Sequence, residues 1–153
     1  MTTKIEAGPV AAKVFYEEIE IGTELAPLIN TPIKHTQLVR YAGASGDFNP
    51  LHTDPEVGLK VGTGGPIAHG MLIMGFLGHF VSDFLGGPGA LRRFGVRFQS
   101  MTRHEDVITC SGVITKKYEQ DGQYFIEASI AAKDEKGDTK ASGSFTAVLP
   151  TRG

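Results

Sequence analysis

A carboxylate and an imidazole stand five positions apart in the segment 47–52, which reads Asp-Phe-Asn-Pro-Leu-His. Pro50 has no backbone N–H and disfavours regular helix, so the segment is predicted to be a loop. On such a loop Asp47 and His52 can act as a general acid/base pair toward a bound water or a substrate carbon. The same residues also fit an ordinary turn, in which Asn49-Pro50 bends the chain and His52 lies at the surface.

A second candidate site lies in the segment 66–71, which reads Pro-Ile-Ala-His-Gly-Met and opens a long apolar run. Gly70 stands at a predicted helix N-terminus, where backbone N–H groups lack intrahelical acceptors and can hold a developing negative charge. Without a side chain, its N–H could approach a thioester oxygen; the alternative is a glycine needed for close packing. His69 either orients the loop or takes part in catalysis, and it is also a candidate for substrate binding. Together, the two segments suggest proton transfer next to a polarised carbonyl.

Other kinds of site find less support in the sequence. A calcium loop starting at Asp47 would need glycine at its sixth position and glutamate at its twelfth, where the chain has His52 and Gly58. The glycines of residues 58–65 match neither a phosphate-binding loop nor the dinucleotide pattern. The histidine spacings match no common zinc pattern, and Cys110 is the only cysteine, a small core or half-buried residue by its strand pattern. We predict neither a metal nor a cofactor.

Composition places the chain among single-domain globular proteins. It has 153 residues, of which 41% are hydrophobic, with a net charge of −2 and no run of basic residues, which argues against nucleic acid. Residues 1–12 lack the features of a signal peptide and are predicted to form a flexible tail. The longest apolar run, 71–81, is too short to span a bilayer, so we expect a cytoplasmic protein that does not enter the membrane.

The elements that must position the candidate residues can be predicted from the sequence pattern. Leu25–Ile33 is predicted to be a strand, with prolines near its ends that favour an edge position. Thr36 can cap a short helix over Gln37–Ala44. The stretch 47–66 is predicted to be a long irregular loop, with a short helix beginning at Pro55, and loops of this length are often functional.

The second half of the chain predicts one buried helix followed by a sheet. Gly70–Leu85 is apolar on nearly every side, so we expect a buried helix with His79 as a hydrogen-bonded core residue. The rest alternates between apolar and polar residues, with short turns that predict an antiparallel meander. Its four predicted strands are Leu91–Met101, Asp106–Lys117, Tyr124–Lys133 and Thr139–Leu149.

This order of elements predicts an α+β fold in which an antiparallel sheet wraps a long central helix. One sheet covers only one side of such a helix. We therefore expect a second copy to cover the other side, in a homodimer or a higher homo-oligomer.

Residues 41–55 (YAGASGDFNPLHTDP) and 66–72 (PIAHGML) resemble the two motifs of the MaoC-like, (R)-specific enoyl-CoA hydratase family. The resemblance covers nearly the whole chain. It implies a single hot-dog domain over residues 13–150, a dimer, and active sites near the subunit interface.

The resemblance also implies roles for individual residues. Asp47 and His52 would bind and activate water, the Gly70 N–H would polarise the thioester carbonyl, and Asn49 would support the loop. The chain differs from some members at Gly78, where the family can carry a serine near the catalytic carboxylate.

The implied activity is that of a hydro-lyase in fatty acid metabolism. It would hydrate a trans-2-enoyl-CoA, or the equivalent acyl-carrier-protein thioester, reversibly to an (R)-3-hydroxyacyl thioester. Two alternatives stay open: a hot-dog acyl-CoA thioesterase, and a non-catalytic subunit that binds acyl thioesters or a partner.

Two further groups of residues are candidates for substrate binding. A basic cluster either holds the phosphates of the thioester carrier or forms a solvated strand face. If the strand stays regular that far, alternation places Arg93, Arg97 and Arg103 on one side of it, with Arg92 on the other. The candidates for the lining of an acyl tunnel are Phe48, Leu59, Val61, Met74 and Phe80.

Overall fold

A computed structural model describes residues 14–86 and 90–153. The predicted tail, 1–12, lies outside the described residues. Short 3-10 turns occur at Tyr16–Glu18 and Pro50–His52. The helices and strands are β1 (Glu24–Ile29), α1 (His35–Ser45), α2 (Pro55–Lys60), α3 (Gly70–Leu85), β2 (Leu91–Phe98), β3 (Thr109–Gln120), β4 (Gln123–Lys133) and β5 (Thr139–Leu149).

Within the described residues, the five strands form one antiparallel sheet in the order β1-β3-β4-β5-β2. The predicted α+β class is confirmed. The turn between β3 and β4 consists of Asp121 and Gly122, both with positive φ (52° and 71°), as a two-residue hairpin of this twist requires. Strands β3, β4 and β5 form the predicted meander.

The prediction that β2 joins this meander next to β3 was wrong, because β2 pairs with β5 at the opposite edge. Residues 99–108, here called the crossing segment, carry the chain from one edge of the sheet toward the other. The first of the two predicted strands, Leu91–Met101, therefore ends early, at Phe98. The second, Asp106–Lys117, begins late, at Thr109. Alternation of side chains continues into the crossing segment, but the backbone there has no neighbouring strand in register.

Helix α3 has the predicted bounds and contacts all five strands. Its buried face consists of Leu72, Ile73, Leu77, Phe80, Val81 and Leu85. Cys110 of β3 lies in the same core, and burial raises the pKa of its thiol to about 11, so it stays protonated at neutral pH. This agrees with a core cysteine rather than a nucleophile.

The outer face of α3 is not covered by any of the described residues. His79 is 62% exposed and its Nε2 lies 3.4 Å from an Asp83 carboxylate oxygen, so the prediction of a core histidine was wrong. Met71 and Gly75 are exposed on the same helix at four-residue spacing. The sheet buries one face only, and the positions 71, 75 and 79 point away from it.

Contacts distant in sequence decide where α1 begins. The helix starts at His35, with Lys34 as a cap that makes no side-chain capping bond, so the predicted cap Thr36 lies inside the helix. The Lys34 ammonium is instead 2.8 Å from the Glu105 carboxylate, and the Glu105 N–H donates to the Ile33 carbonyl. Docking onto the crossing segment thus takes the place of a local cap.

No helix in the two described ranges is both long and apolar enough to cross a membrane.

Candidate active site

The loop after α1 is shaped by its own short polar side chains. Gly46 ends the helix in the left-handed conformation, with φ of 75°. The Asp47 N–H donates to Ser45 Oγ at 3.2 Å, and the Asn49 N–H donates to Asp47 Oδ1 at 3.2 Å. Asn49 Oδ1 then accepts from the Leu51 N–H at 3.0 Å and caps the 3-10 turn that ends in His52. This is the contact that a loop-supporting Asn49 needs.

His52 presents a free lone pair to Asp47. Its Nδ1 lies 2.8 Å from the Ile67 carbonyl oxygen. Since a carbonyl can only accept, Nδ1 carries the hydrogen and Nε2 is the basic nitrogen. That Nε2 lies 3.8 Å from Asp47 Oδ2, and the His52 side chain is only 13% exposed. The two acceptors face each other across a gap too long for a direct hydrogen bond.

His69 holds the backbone of the same loop. It is 3% exposed, its ring stacks on that of His52 with centroids 3.7 Å apart, and its Nε2 donates to the Asp47 carbonyl at 3.0 Å. Its Nδ1 is buried with no partner among the described residues. Of the two roles left open by the sequence, these contacts favour orientation of the loop.

Gly70 is the first residue of α3, where backbone N–H groups lack intrahelical acceptors. A Cβ added at this position would come within 3.2 Å of the Phe98 ring, tighter than ordinary packing. This contact favours the close-packing explanation, and the role of the Gly70 N–H as a donor stays a prediction.

Two cavities meet at His52 and Gly70. One, of about 360 Å³, is lined by Asp47, His69 and Tyr41 and is here called the acid/base cavity. The other, of about 290 Å³, is here called the apolar groove, and its lining includes Ile67, Ile73, Phe98, Met101 and Lys140.

The residues predicted to line an acyl tunnel do not line these cavities. Phe80 belongs to the core, whereas Phe48, Leu59 and Val61 are exposed. Apolarity alone did not distinguish core positions or surface positions from groove positions.

Asp47, His52 and His69 have ligand atoms within 4.8 Å of one another, a set that could hold a metal ion and that their sequence spacing does not reveal. The hydrogen bonds argue for another use. His69 Nε2 donates to the Asp47 carbonyl and so has no lone pair to offer. Among the described residues, the set therefore presents two free acceptors, on Asp47 and His52, and two acceptors suit a water molecule.

The arginine cluster is dispersed. Arg93 and Arg97 lie on edge strand β2, and a register shift between Leu91 and Arg93 interrupts the alternation. Arg103 belongs to the crossing segment, where its Nε donates to the Thr63 carbonyl at 3.3 Å and its side chain lines a separate cavity of about 510 Å³. The predicted common face holds for Arg93 and Arg97, because the register of β2 is unbroken between them, and it was wrong for Arg103, which lies outside the strand. Neither Arg93 nor Arg97 lines the two cavities of the site.

Gly78 lies two turns beyond Gly70 on α3. Position 78 therefore lies about 12 Å along the helix axis from Gly70, and the closeness of a side chain there to Asp47 stays a prediction.

Comparisons with known proteins identify the family of this chain. The family described as MaoC like domain matches residues 17–135, and the chain belongs to that family. An (R)-specific enoyl-CoA hydratase of Rhodospirillum rubrum is 27% identical over 140 residues, covering 91% of this chain and 94% of the relative. A 3-hydroxybutyryl-CoA dehydratase of Methylorubrum extorquens is 29% identical over 83 residues, covering 54% of this chain and 52% of the relative.

Solved structures share the fold. An unliganded (R)-hydratase of Pseudomonas aeruginosa superposes with a TM-score of 0.80 at 22% identity, covering 92% of this chain and 88% of that one. The (R)-hydratase of A. caviae gives a TM-score of 0.76 at 23% identity, covering 88% and 99%. The hot-dog fold predicted from the motif resemblance is confirmed.

Proposed function

We propose that the protein is a hydro-lyase that adds water reversibly to the double bond of a trans-2-enoyl-CoA, giving a 3-hydroxyacyl-CoA. The observation that carries this proposal is the pair of free acceptors, His52 Nε2 and Asp47 Oδ2, separated by 3.8 Å beside the N-terminus of α3. The names of the two curated relatives, a hydratase and a dehydratase of CoA thioesters, support the same reaction class.

The gap between the acceptors suits one water molecule. A water that donates both hydrogens to acceptors about 2.8 Å away spans roughly 4 Å between them. The water oxygen then keeps its lone pairs for attack on C3 of the enoyl group. Its proton passes to the Asp47/His52 pair while the C3–O bond forms, and a proton returns to C2 to complete the addition.

The electrons of the double bond move toward the thioester oxygen during this step. The Gly70 N–H would stabilise that oxygen, and the apolar groove would receive the acyl chain next to it. Acid/base groups of this kind contribute roughly 10²–10⁴ in rate. A well-aimed oxyanion donor adds on the order of 10²–10³.

The finer parts of the proposal concern stereochemistry, carrier and assembly. The (R) product follows from the family resemblance, and the carrier is CoA or an acyl-carrier protein. A homodimer would cover the outer face of α3, where Met71 is exposed beside the acid/base cavity. Sedimentation at micromolar concentration should give at least twice the 16.4 kDa of one chain, and a stable monomer would contradict the dimer.

Crotonyl-CoA distinguishes hydration from its alternatives in one assay. Loss of the enoyl absorbance without release of free thiol is the expected result. Thiol release would instead identify a thioesterase, and binding without either change would identify a non-catalytic subunit. The products should be resolved by chirality, because an (S) product would contradict the stereochemical part.

A further inference from the structure

Lys140, near the start of β5, is a buried charged side chain that the proposed reaction does not use. It is 3% exposed, and its Nζ lies 2.8 Å from Asp138, 3.0 Å from Asp134 and 3.7 Å from Asp106 carboxylate oxygens. Burial alone would lower the pKa of Lys140, but the hydrogen bonds to Asp138 and Asp134 raise it, so the ammonium stays charged. An ion cluster of this kind is an inefficient source of stability.

The same ammonium also holds the backbone of the crossing segment. Its Nζ donates to the Met101 carbonyl at 3.1 Å, and the Lys140 carbonyl accepts from the Gln99 N–H at 2.9 Å. Asp106 closes the far end, because its Oδ2 accepts from the Arg103 N–H at 2.8 Å. Lys140 thus ties the crossing segment to β5 where that segment has left the sheet.

The crossing segment in turn holds the backbone that carries the site. The Ala68 N–H donates to the Thr102 carbonyl at 2.8 Å, and Ile67 forms an isolated antiparallel bridge with Arg103. Ala68 stands two residues before Gly70. The Ile67 carbonyl is the group that fixes the His52 tautomer. The carbonyl that Lys140 binds and the carbonyl that Ala68 binds belong to consecutive residues.

We infer that Lys140 is a positioning residue that, through Met101 and Thr102, aims the Gly70 N–H at the substrate carbonyl. The inference rests on the proposed hydratase function. A hydrogen-bond donor at the reacting oxygen acts only when it is placed correctly, and a displacement of about 1 Å can lower a rate roughly 100-fold.

The alternation of β5 does not reveal the burial of Lys140. Lys140 is in phase with the polar residues Ser142, Ser144 and Thr146, whereas the apolar face of the strand consists of Ala141, Phe145, Ala147 and Leu149. Only the structure shows that Asp134 and Asp138, from the turn before the strand, pair with the buried ammonium.

The test compares Lys140→Met, which keeps the hydrocarbon stem and removes the ammonium, with Asp134→Asn as the matched control. Asp134 lies in the β4–β5 turn and pairs with Lys140. Its other side-chain hydrogen bonds stay within that turn, where it accepts from the N–H groups of Lys136 and Asp138. With crotonyl-CoA, Lys140→Met should lower kcat at least about 10-fold and change KM by less than about twofold, because the donor acts in the transition state. Asp134→Asn should lower stability and leave kcat within about twofold of wild type.

A spectroscopic measurement separates positioning from a loss of stability. In an Asp47→Asn background, crotonyl-CoA labelled with ¹³C at its carbonyl stays unreacted, and its bound carbonyl stretch reports polarisation by the Gly70 N–H. Adding Lys140→Met should move this stretch toward the value of free crotonyl-CoA, whereas adding Asp134→Asn should leave it in place.

Lys140→Met leaves buried carboxylates without their cation and could therefore prevent folding. In that case the double variant Lys140→Met/Asp134→Asn is used in its place, because it removes the charge of one of these carboxylates. Wild-type kcat and an unshifted carbonyl stretch in either Lys140 variant would overturn the inference, as would an equal fall of kcat in Asp134→Asn. Inactivity of the wild type would instead remove the proposed function on which the inference rests.

Discussion

The acid/base pair and the Lys140 cluster use similar groups in opposite ways. Around Lys140, the nearest carboxylate oxygen lies 2.8 Å from the ammonium, and the cluster is closed by direct contact. Between His52 and Asp47 the distance is 3.8 Å, and both groups are acceptors held apart by bonds to backbone atoms. A closed cluster fixes the chain, whereas an open pair leaves hydrogen-bonding capacity for a molecule from outside.

The comparison predicts the largest effect at the open pair. Asp47→Asn keeps the size and the turn contacts of the side chain but removes the base, so turnover should fall at least about 100-fold. His52→Ala should fall by a similar factor, because the two groups share one water. The urea midpoint of Asp47→Asn should stay near that of wild type, whereas that of His52→Ala should fall, because a mostly buried ring and its bond to the Ile67 carbonyl are lost.

The matched controls are Asp121→Asn, in the β3–β4 turn, and His104→Ala, an exposed residue beside Glu105. Both lie outside the two cavities of the site and should keep wild-type turnover. Wild-type turnover in Asp47→Asn or His52→Ala would end the assignment of the pair.

Gly70→Ala should have a smaller effect at the same site. The new Cβ would come within 3.2 Å of the Phe98 ring, and Phe98 must move away by a few tenths of an ångström. Steady-state kinetics should give kcat lowered by about 10-fold, since the N–H remains but its surroundings shift. Adding Phe98→Leu should recover part of kcat, and failure of that rescue would show that the crowding lies elsewhere.

Within the closed cluster, Asp134 should affect stability rather than activity. Asp134 is 8% exposed on its side chain, and Asp134→Asn should reduce the free energy of unfolding by about 1–2 kcal/mol, as for a charge-assisted hydrogen bond. Urea unfolding at pH 7 measures the difference. An unchanged midpoint would mean that the cluster contributes nothing net to stability.

The pH dependence of unfolding tests the same cluster through a second carboxylate, that of Asp138. Hydrogen bonds from Lys140 and Ser100 lower the pKa of Asp138 below its usual value. A carboxyl whose pKa is lower in the folded state stabilises the protein above its unfolded pKa, about 3.9, and this stabilisation is lost as the pH falls through the folded pKa. Unfolding curves below pH 4 should therefore lose stability less steeply in Asp138→Asn than in wild type. Identical slopes would contradict a lowered pKa at Asp138.

Substitution of exposed arginines outside the acid/base pair and the Lys140 cluster should have the smallest effect on the kinetics. If Arg93 and Arg97 hold the phosphates of the carrier, Arg93→Ala and Arg97→Ala should raise KM several-fold with kcat unchanged, and the effect should shrink as salt screens it. Steady-state kinetics at two ionic strengths measures KM and its salt dependence. Should both variants keep the wild-type KM and its salt dependence, the arginines form a solvated face.

The sequence by itself determined the loop that carries Asp47 and His52 and the helix α3, because both follow from local residue patterns. Pro50, Asn49 and Gly46 shape the loop through their own backbone preferences and short-range hydrogen bonds, and the apolar run determines α3 with its bounds. The two long motifs pointed to the family before any contact was known. These features depend on neighbours within a few residues, which a sequence states directly.

Tertiary structure alone decided what depends on distant partners. The place of β2 beside β5, the outward position of His79 and the start of α1 at His35 all follow from packing against segments far along the chain. The same holds for the Lys140 cluster, whose effect on the site passes through backbone hydrogen bonds between the segments 101–103 and 67–68. Such bonds join carbonyl and N–H groups that every residue carries, so side-chain identity does not encode which of them meet.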